Sequence, residues 1–109
     1  MLNKSYIYLL KDCEKNHYKI GITKNNIQKR INQLQTGNSG QIILINNFQT
    51  FYPRRLENML HTKFQHKKIL NEWFELDDED VTNFHNICEN LEEIIISLKN
   101  NPFFNKNLK

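Results

Sequence analysis

Residues 5 to 23 hold two short alternating runs separated by a polar break, and that pattern leaves few local folds open. Over residues 5–11, Ile7 and Leu9 fall on one side of an extended chain, with Tyr6, Tyr8 and Leu10 on the other. Over residues 18–23, Tyr18, Ile20 and Ile22 point one way and Lys19 and Gly21 the other. Residues 12–16 are polar and make the turn of an antiparallel hairpin. Matching Ile7 and Leu9 to Ile20 and Ile22 builds one apolar face. Tyr8 and Lys19 then share the opposite face, within cross-strand reach of each other. Tyrosines, a lysine and a bare glycine on one sheet surface mark a site rather than a plain core.

The rest of the chain supplies the layers. Asn25 and Asn26 are N-cap candidates for a helix striped by Ile27, Ile31 and Leu34 and stopped at Thr36-Gly37, with Arg30 at the edge of the stripe. Residues 41–48 read as a third strand. Pro53 opens a second helix with Leu56, Met59, Leu60 and Phe64 as its core and with Glu57 and His61 alongside. Residues 73–76 read as a short strand or extended clamp. Asp77 and Asp78 are expected to cap one long amphipathic helix bearing Val81, Phe84, Cys88, Leu91, Ile95 and Leu98. The expected fold is α+β, a small central three-stranded antiparallel sheet flanked by helices, with a long C-terminal amphipathic helix. One domain over residues 1–100 and a polar tail over 101–109 account for the length.

Composition narrows the function classes. Cys13 and Cys88 are isolated and lack metal-type spacing, which argues against a disulfide framework or a zinc site. The longest apolar runs are far too short for a membrane span, and the N-terminus carries no signal-type apolar core, so a soluble intracellular protein is expected. Charge is partitioned: residues 1–70 hold twelve Lys and Arg against three acids, whereas residues 71–98 hold nine acids and neither Lys nor Arg. A basic body suits a polyanionic partner. The chain has no alanine and is rich in Asn, Lys and Ile, as an AT-biased coding sequence yields, so the lysine excess alone carries little weight.

Phosphodiester hydrolysis needs a group to activate water, a cation against the phosphoryl charge and commonly a metal on a carboxylate. Tyr8 is the candidate base, and an ammonium at Lys19 would lower its pKa from about 10. Arg30 is the candidate phosphate clamp. Glu57, the only acid between Glu14 and Glu72, is the candidate ligand for Mg²⁺ or Mn²⁺, and Gly21 is expected to leave room for substrate. Plainer roles exist for each residue taken singly: Glu57 paired with Arg54, Trp73 and Phe74 as packing, and the acidic last helix simply solvated.

In order, Tyr6-Ile7-Tyr8, Tyr18-Lys19-Ile20-Gly21-Ile22-Thr23, Lys29-Arg30, Leu56-Glu57 with His61, and Glu72-Trp73-Phe74 resemble the GIY-YIG endonuclease superfamily. The likeness is to its compact branch from phages, large DNA viruses and bacteria, which carries Lys-Ile-Gly in the second motif. The resemblance implies a metal-dependent nuclease leaving 5′-phosphate and 3′-hydroxyl ends. It implies Tyr8, Lys19, Arg30 and Glu57 as catalytic, Glu57 as the metal ligand, and Gly21, Lys24, Lys29 and His61 as substrate contacts. The implied partner is DNA, or RNA on the same chemistry, with monomer and homodimer both open and no membrane contact. Tyr6 and Lys19 replace a glycine and a tyrosine of the family pattern, and Arg30 follows Gly21 one residue later than usual. These departures keep in play an inactive nucleic-acid-binding or partner-binding module of the same fold; the acidic last helix separately leaves open a homodimeric or heteromeric interaction protein in which it packs on a basic surface of a partner.

Overall fold

A computed structural model describes residues 4–24 and 26–100. Strands β1 (Ser5–Asp12) and β2 (His17–Thr23) form the hairpin, with Ile7 opposite Ile22 and Leu9 opposite Ile20 as the alternation requires. There follow helix α1 (Ile27–Thr36), strand β3 (Ile42–Thr50), helix α2 (Pro53–Lys63), a 3₁₀ turn (Gln65–Lys67), strands β4 (Lys68–Leu70) and β5 (Trp73–Phe74), and helices α3 (Asp78–Thr82) and α4 (Phe84–Lys99). The expectations for Asn25 and for the tail over 101–109 lie outside the described residues.

The sheet corrects the three-stranded expectation. It has five strands in the order β3-β1-β2-β5-β4, every neighbouring pair antiparallel. Residues 68–74 fold back as a small hairpin onto the edge of β2, placing Phe74 opposite Tyr18 and Trp73 opposite Lys19. Strands of three and two residues are too short to show a period in sequence.

β1 lies inside the sheet and is covered on both faces. Ile7 and Leu9 join Tyr18, Ile20, Phe48 and the apolar sides of α2 and α4, while Tyr8 and Leu10 pack with Ile31, Ile42 and α1. The face expected to be a polar site is therefore half a second, smaller core. Asn26 fixes the start of α1, its side chain accepting from the Gln28 and Lys29 amides at 2.8 and 3.3 Å. Asp12, buried at the end of β1, accepts from the Glu14 and Lys15 amides and from Asn38, and so ties the hairpin turn to the loop after α1. Burial alone would raise its pKa, but those donors outweigh it and hold the carboxyl below its usual range.

The single long C-terminal helix is corrected as well. Asp77 caps α3 in a reciprocal box with Asp80, but the chain breaks at Asn83 before α4 begins. Asn83 donates its backbone N–H to the last carbonyls of α3, and its carbonyl accepts from Ile87 at 2.9 Å. Asparagine disfavours helix interiors and suits helix ends, so the chain divides at Asn83 into two helices where periodicity alone suggests one.

Gly21 has a role different from the one expected. It stands opposite Tyr8 in the ladder. A Cβ there would lie 2.9 Å from Tyr8 Cε1 and closer still to Cζ and the hydroxyl. The space left by the missing side chain is filled by the Tyr8 ring, not kept open for substrate. Gly21→Ala is expected to cost about 1–3 kcal/mol through overpacking, lowering the thermal midpoint; an alanine variant melting with the wild type would show that the ring is not seated there.

Candidate active site

The site lies around the end of β2 that β5 leaves uncovered. β5 covers Tyr18 and Lys19, and the last edge bonds to it fall at Ile20. There the Ile20 N–H donates to the Glu72 carbonyl at 3.2 Å, and the Ile20 carbonyl lies 3.0 Å from His61 Nε2. With Nε2 protonated, His61 donates this bond and substitutes for a strand partner; its ring also packs edge-on against Phe74, 5.0 Å between centroids. Beyond Ile20, Gly21, Ile22 and Thr23 pair with no strand on that side among the described residues.

Tyr8 is buried to 1% exposure on the α1 side. Burial pushes its phenol above the ordinary value of 10.0; the hydrogen-bonding contact and charge of Arg30 pull it back, and the charges of Glu72 and Glu57 push it up again. This corrects the expectation of a phenol acidified by Lys19. The cation against Tyr8 is Arg30, whose own pKa is raised first by that hydrogen bond. Arg30 reaches Tyr8 because Ile31 and Leu34 bury the neighbouring stripe of α1 against the sheet.

Lys19 shares the sheet face with Tyr8 but stands opposite Leu10. Its ammonium pairs with Glu72 Oε1 at 3.0 Å and lies 5.4 Å from the centre of the Trp73 ring. At 8% exposure this ammonium needs such a partner, since an unpaired buried charge is costly. Glu72 is the residue that sequence reasoning left without a role. Its position beside Trp73-Phe74 was visible, but its pairing with Lys19 depends on the β2–β5 register.

Glu57 lies half-buried on α2 and makes no hydrogen bond or ion pair among the described residues, so its plainer role as a partner of Arg54 is present as a charge effect only. Burial raises its carboxyl pKa, Glu72 raises it further, and His61, Arg54 and Lys19 lower it. Lys24 and Arg54 line a cleft of about 420 Å³ with Thr23. Lys29 and Arg30 line a smaller one of about 110 Å³ that Thr23 also borders. Basic side chains thus flank both sides of the β2 terminus.

A family model described as the T5orf172 domain matches residues 5–89, which hold every residue of this cluster. The chain belongs to the T5orf172 domain family. That family is associated with phages and related to nuclease-type folds, which makes nuclease or DNA-binding activity the function class it suggests. No curated protein and no solved structure matches the chain.

The donor set around the end of β2 in this T5orf172 domain is sparse in carboxylates. Among the described residues there is no cluster of three or more His, Cys, Asp or Glu that could enclose a metal. Glu57, without a hydrogen bond or ion pair among the described residues and facing the charge of Glu72, is a carboxylate that a single hard cation held otherwise by waters and phosphate oxygens could use. No described helix is long and apolar enough to cross a membrane.

Because Glu57 has a raised pKa when folded, ionising it disfavours the fold as pH rises through and beyond 4.5. That penalty is absent in acid and grows as pH rises above the ordinary carboxyl range. Without metal, Glu57→Gln is therefore expected to melt higher than the wild type at neutral pH, with the gap closing as pH falls. An equal or lower midpoint at neutral pH would contradict this placement of Glu57.

Proposed function

We propose that this T5orf172 domain is a Mg²⁺-dependent DNA endonuclease of the GIY-YIG type, hydrolysing phosphodiester bonds to 5′-phosphate and 3′-hydroxyl ends. The reading is carried by one observation: a phenol, a guanidinium, a paired ammonium and a partnerless carboxylate meet around the uncovered end of one strand. A purely structural cluster gains nothing from leaving Glu57 half-buried and unpaired.

Arg30 grips the scissile phosphate and, being always charged, meets the negative charge that grows in the transition state. Lys19, held by Glu72 and Trp73, adds a second cation beside the phosphate. Glu57 would hold Mg²⁺, and the ion, when bound, would supply charge to offset the phosphoryl oxygens and would favour deprotonation of the attacking water. Tyr8 takes the proton of the attacking water. His61 holds the Ile20 carbonyl and with it the end of β2. Lys24, Lys29 and Arg54 carry the flanking phosphates.

The raised phenol sets a pH signature. Only the phenolate can accept a proton, so the rate is expected to climb with pH through neutrality toward 10 and beyond, and Tyr8→Phe is expected to flatten that climb. A wild-type plateau near neutral pH would remove Tyr8 as the base. The same raised pKa favours a second reading, a binding module of this fold that does not cut.

Incubating the protein with plasmid and single-stranded DNA in Mg²⁺, with and without chelator, separates the two. Chelator-sensitive cleavage lost in Glu57→Ala, with the fold intact by circular dichroism, is the expected result. A salt-sensitive gel shift without cleavage would favour the binder, and wild-type cleavage by Glu57→Ala would remove Glu57 from the mechanism.

A further inference from the structure

A third cleft, of about 220 Å³, opens beside Trp73. Its apolar wall is made by Trp73, Ile69 and Leu70, and its polar wall includes Lys15 and His17. Leu70 is 64% exposed and Ile69 43%, large apolar groups to leave in water on so short a strand. Asn71, with φ of 53°, turns the chain just behind them and so holds both on the small hairpin. Two other lining residues, Asp12 and Asn38, are already committed to each other and to nearby backbone groups. Lys15 and His17 are left to meet the polar rim of a ligand.

A flat aromatic and aliphatic wall facing a polar rim matches a nucleobase, which has a face to stack and an edge to hydrogen-bond. The position agrees with that ligand. Trp73 stands opposite Lys19 in the ladder, and Lys19 is two residues along β2 from Gly21. Two strand residues and one inter-strand step put the Trp73 backbone on the order of 8 Å from Gly21, so the Trp73 side of the cleft is within reach of a base joined to a phosphate held by Arg30.

We infer that the Trp73–Leu70 cleft receives an unpaired DNA base adjacent to the phosphate bound at Arg30 and Lys19, giving the domain a preference for single-stranded or unstacked DNA at the cut. The position of the phosphate rests on the nuclease reading above; the cleft itself does not. A base stacked inside an intact duplex presents no free face and must first leave the stack to enter.

Trp73 is the only tryptophan in the chain, so its fluorescence reports on the cleft directly. In chelator, a short oligothymidylate is expected to quench Trp73 emission and to bind tighter than a blunt duplex. By anisotropy, Leu70→Ser should weaken oligothymidylate binding by about tenfold, the scale of one lost base stack. Duplex binding and the melting midpoint should be unchanged, because Leu70 is mostly in water. Equal binding of strand and duplex without quenching, or a Leu70→Ser effect that is absent or shared equally by both, would overturn the cleft.

Since these readings use no metal, they separate from catalysis. Strand-selective quenching with no cleavage in Mg²⁺ keeps the cleft and removes the nuclease. Cleavage of intact duplex without strand-selective quenching keeps the nuclease and removes the cleft.

Discussion

The Tyr8 ring fills the space that a side chain at position 21 would take, and from that contact both the smaller core and the site follow. On one side the ring packs with Leu10, Ile31 and Ile42 and so anchors α1 to the sheet. At its tip the hydroxyl meets Arg30, which α1 brings there. A single tyrosine therefore links the packing of a helix to the placement of the cation that the proposed chemistry needs most. Any change that moves the ring shifts Arg30 with it.

Electrostatically the cluster is balanced in pairs. Lys19 offsets Glu72 at 3.0 Å, and Arg30 offsets the polar burden of a buried phenol. Glu57 is left over, and its raised pKa is the cost of holding a carboxylate half-buried near another. Sites that bind cations or anions commonly carry such local frustration, because an internal partner would have to be displaced first. The apolar packing of α2 through Leu56 and Leu60, both fully buried, is what keeps Glu57 in place despite that cost.

Much of this was legible in sequence, for physical reasons that differ by element. The Ile7–Ile22 and Leu9–Ile20 pairing could be read because a period of two admits one register with one apolar face. Asn26 and Pro53 marked helix starts through the backbone donors they satisfy or lack. What could not be read depended on distant register or on very short elements. The partner of Lys19 is fixed by the hairpin over residues 68–74, whose strands have no period, and the partner of Tyr8 by how far Arg30 reaches from α1. Gly21 was singled out for the right emptiness but with the wrong occupant. The break at Asn83 was hidden because Val81, Phe84 and Cys88 keep helical spacing across it.

The central claim is that Glu57, Arg30 and Tyr8 converge on one phosphate. Anomalous scattering from crystals holding Mn²⁺ and an uncleavable oligonucleotide tests it most directly. The account predicts one manganese peak on the Glu57 carboxylate, sharing a phosphate whose oxygens lie within hydrogen-bond distance of the Arg30 guanidinium and beside the Tyr8 hydroxyl. A metal bound elsewhere, or a backbone crossing the protein without approaching the end of β2, would contradict it.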